Sequence, residues 1–573
     1  MNKRLAFFLP FRRQIVLLAA GGIVSSVFSA LLLPYLSKLL IDNSFLKKDL
    51  HEFLRLSIAG SLVFVCGVAA RSFYDLFKRK ALTRTKMRLA GDFVRKLFSH
   101  DLSFFQAGSA GQNMYQLGDI DTVSRLIIER IPSAMTDAVI CVAIFSCAFI
   151  LERRMALLLG VLSPLFFLKS VYIRKGTMKV YGELWQCNSL FVKRTYEALS
   201  RMQIIKVFGL EGWQRRRYLR GLIENIRLEV RSLRLITVNS LASAFLSKAV
   251  YGAMSLYGGW LIIRGEISFG TYAAAMLYLT QLGMLLQSVS GSLENAAQEV
   301  IALERFCAVI EKEPVIRDAP LAVEARRLQS HIRVSRVTFG YRKERPVFKG
   351  LDLTIRAGTW AGVVGASGCG KTTLGSLIAR LFDPWEGAVL FDDIPLTRLR
   401  LKSLRERVAV ALQEPLLFDL SFYENIAVGM HGVTRRQVEG VARTVALHDF
   451  VARLPDGYDT LIGENACKLS QGYKQRVALA RAVVRRADIL IIDEATSSID
   501  SATEEKIFRA LRRERKGLTT IVISHRLFSV RDAERIFLIR TDGVIEEGTH
   551  DELARTSVAY RELFSNQMEG CSV

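Results

Sequence analysis

Residues 365–372 read Gly-Ala-Ser-Gly-Cys-Gly-Lys-Thr, a complete G-x-x-x-x-G-K-[ST] spacing. Gly365, Gly368 and Gly370 let backbone N–H groups turn toward an anion without obstruction from side chains. The Lys371 ammonium has the reach to meet the β- and γ-phosphates of a nucleoside triphosphate, and the Thr372 hydroxyl is a ligand for Mg²⁺. Ser367, Cys369 and Thr373 complete the candidate cradle. Further along, the apolar run Ile489–Ile492 ends in Asp493-Glu494. An aspartate at a strand tip can hold Mg²⁺, and a glutamate beside it is placed to polarise an attacking water as general base. The chemistry implied is binding and hydrolysis of a triphosphate.

Such a site needs a strand to deliver the loop and a helix to receive it. Trp360–Val364 reads as that strand and Thr373–Leu381 as that helix. From about residue 331 short β-rich runs (Ile332–Tyr341, Trp360–Val364, Ile489–Asp493, Thr519–Ser524, Ile536–Ile539) alternate with helical stretches. This pattern predicts an α/β domain with a mainly parallel sheet and added antiparallel strands. Asp542-Gly543 reads as a hairpin turn.

The first 300 residues have another character. The chain holds 573 residues, half of them hydrophobic, with a mean hydropathy of +0.23 and a net charge of +24. Soluble domains seldom combine these values, whereas membrane proteins with basic cytoplasmic loops do so routinely. Six stretches have the roughly 20-residue length of a membrane span, at about 14–40, 54–74, 133–151, 155–173, 240–263 and 269–291. The connections 75–132 and 174–239 are long and polar, with helical apolar spacing. The second carries fourteen Lys/Arg against five acids. Positive-inside logic places both long loops, the N-terminus and everything after 292 in the cytoplasm. The apolar run near the N-terminus continues to about Leu40 without a cleavage site and reads as a retained span. Pro314 and Pro320 mark the end of a helical connection. The chain thus divides into a transmembrane domain over 1–300, a linker over 301–330 and a nucleotide-binding domain over 331–573. The eight cysteines form no C-x-x-C pair and no His-flanked cluster, so no zinc site or disulfide framework is indicated. Cys369, inside the loop, reads as a tolerated variable position or a thiol-sensitive one.

Between loop and Asp493 lies Leu469-Ser-Gln-Gly-Tyr-Lys-Gln-Arg476. Here the chain resembles the ABC transporter ATPases. The resemblance implies that Gln413 is the Q-loop glutamine near Mg²⁺ and water, that His525 is the switch histidine at the γ-phosphate, and that Asp500 belongs to the D-loop. Tyr341 falls where that family stacks an aromatic on adenine. Ser470 and Gly472 are the signature residues, which in the family act in trans on the partner subunit's ATP. The membrane half resembles the six-span exporter type, through Pro34 near Ile41-Asp42, Phe104-Phe105, Glu197-Ala-Leu, Ile205–Glu211 and Gly265-x-Ile-Ser-x-Gly270. The fold class implied is an all-α six-helix transmembrane domain plus an α/β P-loop NTPase.

The signature departs from Leu-Ser-Gly-Gly-Gln, since Gln471 and Tyr473 replace a Gly and the Gln, and Ala466 replaces a glycine upstream. With Lys371, Asp493, Glu494 and His525 intact, the expectation is a homodimer with two working sites. The alternatives are one subunit of a heterodimer with one weakened site, or an ATP-gated channel or regulator. The resemblance implies ATP and Mg²⁺ as cofactors, no nucleic-acid partner, and ATP-driven export or flipping of a lipid, peptide or drug-like substrate. Tips at Phe104–Gly111 and within about 205–220 would couple the domains. Lys38, Lys169 and Lys248 lie in or near apolar spans. They either line a path for an anionic or amphipathic cargo, or snorkel and pair with Asp42 and similar groups. The fusion and the basic N-terminus point to a bacterial inner membrane, with no N-terminal protease domain before the spans.

Overall fold

A computed structural model of the chain describes residues 7–107, 110–463, 469–540 and 545–568. Ala466, Cys467, Cys571 and the expected turn at Asp542-Gly543 lie outside the described residues, as does part of the tip 104–111. The chain forms two compact units. One runs to His100 and from Phe104 to Glu313, and the other comprises Asp101–Ser103 and everything from Pro314 onward.

The first unit is helical throughout. Its helices are α1 (Leu9–Phe45), α2 (Leu50–Ser99), α3 (Leu102–Ala107), α4 (110–151), α5 (Arg153–Leu162), α6 (Pro164–Ser200), α7 (Met202–Val207), α8 (Glu211–Ile263) and α9 (Phe269–Glu311). Among the described residues four stretches are long and apolar enough to cross a membrane: Leu9–Phe45, Leu50–Ser99, Leu117–Leu151 and Phe269–Val289. The stretch at 155–173 is divided between α5 and α6 at Ser163-Pro164 and carries Lys169, and that at 240–263 forms the end of α8 and carries Lys248.

The long polar connections are largely helical among the described residues, as their apolar spacing predicts, with breaks at His100-Asp101, at Arg201 and at Phe208–Leu210. Asp49 caps α2 by accepting from the His51 and Glu52 N–H groups. Besides the π-turn Leu40–Phe45 that ends α1, widened π-turns interrupt α1 at Phe28–Leu32 and α4 at Leu126–Arg130. Each of these two interruptions sits just before a proline, Pro34 or Pro132, whose missing N–H and bulky ring break the regular ladder there. Two of the motif segments meet. Asp42 accepts from the Ser268 hydroxyl (2.8 Å) and the Gly270 N–H (3.0 Å), so this carboxylate ties the end of α1 to the start of α9. Lys169 reaches the Ser243 hydroxyl on α8.

The second unit holds two sheets. The four-stranded antiparallel sheet has the order β2-β1-β4-β5, with β1 His331–Phe339, β2 Phe348–Arg356, β4 Glu386–Phe391 and β5 Ile394–Pro395. The six-stranded sheet has the order β10-β9-β3-β8-β7-β6. Its strands are β3 Trp360–Gly365, β6 Val408–Ala411, β7 Ile489–Asp493, β8 Thr519–Ile523, β9 Arg535–Ile539 and β10 Ile545–Gly548. All its pairings are parallel except β9–β10. Strands β3, β7 and β8 are buried along their whole length, as expected where helices cover both faces of a parallel sheet. The helices are α10 (Lys371–Ile378), α11 (Leu401–Arg407), α12 (Phe422–Ala427), α13 (Arg435–Thr444), α14 (His448–Val451), α15 (Gln471–Val483), α16 (Ser501–Glu514), α17 (Leu527–Arg531), α18 (His550–Thr556) and α19 (Val558–Met568). Because β3, β7 and β8 are neighbours and parallel, their C-terminal ends deliver residues 365, 493 and 523 to one edge.

Candidate nucleotide and hydrolysis site

That edge carries the chemistry. The loop leaves β3 at Gly365 and enters α10 through Gly370, which holds a left-handed backbone at φ 103°. A Cβ at 370 would also stand 2.6 Å from the Phe348 ring, so only glycine fits. Lys371 begins α10 and is 6% exposed. Its Nζ donates to the Gly365 and Ala366 carbonyls at 2.9 and 3.0 Å, folding the side chain over its own loop. Burial pushes the ammonium below the usual lysine range, opposed by the nearby Cys369, Glu494 and Asp493. Cys369 packs in the core beneath the loop, and burial raises its thiol.

At the tip of β7 the Asp493 carboxyl is buried, and burial raises it above the usual carboxylate range while a hydrogen bond from the Thr372 hydroxyl pulls the other way. Its Oδ1 has no hydrogen-bond partner. Glu494 follows in the left-handed region at φ 47°, and its N–H donates to the Ile523 carbonyl at 3.0 Å. Two side chains hold its carboxylate. Gln413 Nε2 donates to Oε2 at 2.7 Å, and His525 Nε2 stands 2.7 Å from Oε1. The structure therefore brings Gln413, Glu494 and His525 together, and places Thr372 beside Asp493 as a separate pair.

Tyr341 lies just past β1, half exposed. Its ring is edge-on to Phe339 and Phe382, and its hydroxyl meets the Thr373 hydroxyl at 3.2 Å. With Arg342, Arg345, Pro346, Val347, Gly368 and Cys369 it lines a cavity of about 520 Å³ next to the loop.

Ser470 and Gly472 form another group. Ser470 is the N-cap residue of α15, but its hydroxyl makes no capping bond. Gly472 lies against the Ser498 carbonyl, 3.0 Å from where a Cβ would stand. Tyr473 stacks on Phe450 with ring centroids 3.8 Å apart, and Arg476 covers its other side at 4.1 Å. Asp500 caps α16 by accepting from the Thr503 N–H at 2.9 Å, a bond that lowers its carboxyl.

Three supporting residues escaped the sequence reading. Gln475 donates to the Ser497 hydroxyl and accepts from the Ser498 N–H, joining α15 to the loop after Glu494. Glu504, 1% exposed, accepts from Thr496, Ser529 and Arg526. Arg526, next to His525, also donates to the Ile499 and Ser497 carbonyls. A charged residue beside His525 and a glutamate on the buried face of α16 were the available signals, but only the fold shows that they meet.

The chain is similar to known proteins along nearly its whole length. The family described as ABC transporter transmembrane region matches residues 15–286, and the family described as ABC transporter matches 348–497. An ATP-dependent lipid A-core flippase of Syntrophus aciditrophicus is 31% identical over 97% of this chain and 92% of its own length. An ATM1-type heavy metal exporter of Novosphingobium aromaticivorans is 29% identical over 94% of this chain and 90% of its own. The solved structure of a bacterial Atm1-family ABC exporter with ATP bound superposes with a TM-score of 0.88 at 26% identity, covering 97% of this chain and 99% of that one.

Proposed function

Since the chain belongs to the ABC transporter family, with a helical transmembrane domain fused to an ATP-hydrolysing domain, we propose that it exports or flips an amphipathic substrate by alternating access of a dimer. It is an integral membrane protein that couples ATP hydrolysis to export. The observation that carries the reading is Glu494, whose carboxylate is held by both Gln413 and His525 directly after the buried Asp493.

In this reading Lys371 exchanges its two loop carbonyls for the β- and γ-phosphates of ATP, and Tyr341 stacks on the adenine. Gly365, Ser367, Gly368, Cys369, Gly370, Thr372 and Thr373 surround the phosphates with N–H and hydroxyl donors. Thr372, Asp493 and Gln413 form a hard oxygen donor set, and the partnerless Asp493 Oδ1 fits a role as ligand to Mg²⁺. When bound, Mg²⁺ neutralises charge on the phosphate oxygens. Glu494 takes the proton of the attacking water, while His525 and Gln413 hold that carboxylate in place. Ser470 and Gly472 complete the partner subunit's site, where the uncapped Ser470 hydroxyl and the N-terminus of α15 suit a phosphate. Asp500 holds the start of α16 beside them.

We assign the membrane domain to 1–300, the linker to 301–330 and the nucleotide-binding domain to 331–573, with six spans and the ATPase domain in the cytoplasm of a bacterium. The basic connections and the bacterial relatives support that placement. The flippase relative supports a lipid as cargo, as do the membrane lysines, of which Lys248 is exposed on α8. The test is Glu494→Gln in lipid nanodiscs. ATP binding should persist while hydrolysis is lost, and a variant that turns over ATP at the wild-type rate overturns the assignment. Export is tested in proteoliposomes with fluorescent lipid. Lys248→Ala should lower lipid-stimulated ATPase activity, and unchanged stimulation removes the cationic-path reading.

A further inference from the structure

Outside the ATP site, three helices of the first unit meet at one guanidinium. Arg305 on α9 donates through Nε and one terminal amino group to the two oxygens of Asp119 on α4, at 2.8 and 2.6 Å. Both side chains are largely buried, at 15% and 9% exposed. The same guanidinium lies 4.3 Å from the ring centroid of Trp185 on α6. A cavity of about 380 Å³, lined also by Thr122, Tyr181 and Asn188, adjoins the cluster.

A second pair crosses the same two helices nearer the membrane. Arg130 on α4 donates to the buried Glu299 on α9 at 2.9 Å. The cation stands on α4 in one pair and on α9 in the other. A slip of one helix along the other would therefore set like charges together. Asp119, Trp185 and Arg305 each lie 12 to 14 residues from the apolar stretches read in the sequence at 133–151, 155–173 and 269–291, about 20 Å of helix. They sit at a common depth on the cytoplasmic shanks. The two helices so joined are also those that run toward the ATPase domain in the sequence. Helix α9 leads into Pro314, and α4 follows the segment Asp101–Ser103 that clusters with the second unit.

We propose that Arg305 is a positioning residue for energy coupling: with Asp119 and Trp185 it clasps α4, α6 and α9 into one lever, which carries the ATP-driven movement into the membrane. Bidentate geometry suits such a clasp, because a planar guanidinium fixes distance and angle together. The proposal rests on the alternating-access reading above, and the experiment separates the two.

Spin labels are placed at the outer ends of the spans in the full-length protein in lipid nanodiscs. Distances across the dimer are measured with and without ATP in a Glu494→Gln background. ATPase kinetics and thermal stability are measured with Glu494 intact. The decisive variant is the neutral pair Arg305→Gln with Asp119→Asn. Removing one partner strands a buried charge, whereas removing both does not. A merely structural pair predicts that the double variant recovers both stability and coupling. A coupling clasp predicts recovered stability and a KM for ATP within about twofold of wild type, but loss of most of the ATP-driven distance change. Arg305→Lys keeps the charge and loses the fork. It should lie between wild type and the double variant, and it serves as the readout should the double variant fail to assemble. If the wild-type protein shows no ATP-driven distance change, the alternating-access reading fails. If the wild-type protein moves and the double variant, or Arg305→Lys in its place, moves as far, the clasp alone is overturned.

Discussion

Glu494 combines two costs in one residue. Its backbone sits at φ 47°, a conformation that costs a non-glycine residue about 1 kcal/mol or more, and its carboxylate lies near the like charge of the buried Asp493. The structure retains it through the Ile523 carbonyl on one side and Gln413 and His525 on the other. Beneath it Glu504 is the fixed point, a buried carboxylate bonded to Thr496, Ser529 and Arg526. Glu504→Ala would leave the buried Thr496 and Ser529 hydroxyls without their acceptor and take from Arg526 its carboxylate partner. We expect a loss of about 1–3 kcal/mol, read as a lowered Tm of the nucleotide domain transition, with ATPase activity falling in parallel. An unchanged Tm would mean that these groups have found other partners. The phosphate loop was legible in the sequence because its ligands are consecutive residues. Gln475, Glu504 and Arg526 were not, because each acts on a partner 22 or more residues away in the chain, a separation that no local pattern records.

At the scale of elements, α15 explains how an altered signature is tolerated. Tyr473 stands where the family resemblance calls for a glutamine, and it fills the gap between Phe450 and the Arg476 guanidinium. A stacked pair and a cation over a ring are together worth about 1–3 kcal/mol. Tyr473→Ala should therefore lower stability by that order and raise the KM for ATP by loosening α15, while Tyr473→Phe, which keeps the ring, should leave both unchanged. Equal losses in the two variants would point to the hydroxyl instead. A second element-scale test concerns α18. His550 faces the Tyr560 hydroxyl at 3.0 Å, and burial holds its imidazole below the ordinary value of 6.5. The folded state thus takes up a proton less readily than the unfolded chain. This site costs nothing above pH 6.5, and stability falls as pH drops from there through the lowered folded value. Nearby Asp551 and Asp532 oppose the shift, and Arg531 reinforces it. His550→Gln should flatten the part of the urea-midpoint profile that lies below pH 6.5, and an identical profile would show that another group titrates there. The buried strands β3, β7 and β8 were legible from apolar runs, and the long helical connections from their spacing. The π-turns and the division of 155–173 into α5 and α6 were not, because a proline announces a break without fixing its form.

For the whole molecule, the geometry separates two groups of residues. Lys371, Asp493 and Glu494 gather at one sheet edge, while Ser470 is the N-cap residue at the head of α15 and Gly472 lies against Ser498. If each ATP site draws on both subunits of a two-fold dimer, the two kinds of lesion must complement in a definite way. Lys371→Ala disables the loop half of a site, and Ser470→Arg, by placing a bulky cation at the head of α15, disables the signature half. A mixed dimer of the two chains then carries both lesions in one composite site and none in the other. Equal co-expression should place about half of the molecules in mixed dimers, each with one intact site, so roughly a quarter of all sites are undamaged. Each homodimeric variant alone should have none. Tandem affinity tags isolate the mixed species, and nucleotide trapping counts its intact sites. Recovery of one trapped nucleotide per mixed dimer supports sites shared between two copies of this chain. Absence of any recovery, with both parent variants correctly assembled, would mean that each site is built within one chain or that this chain pairs with a different subunit.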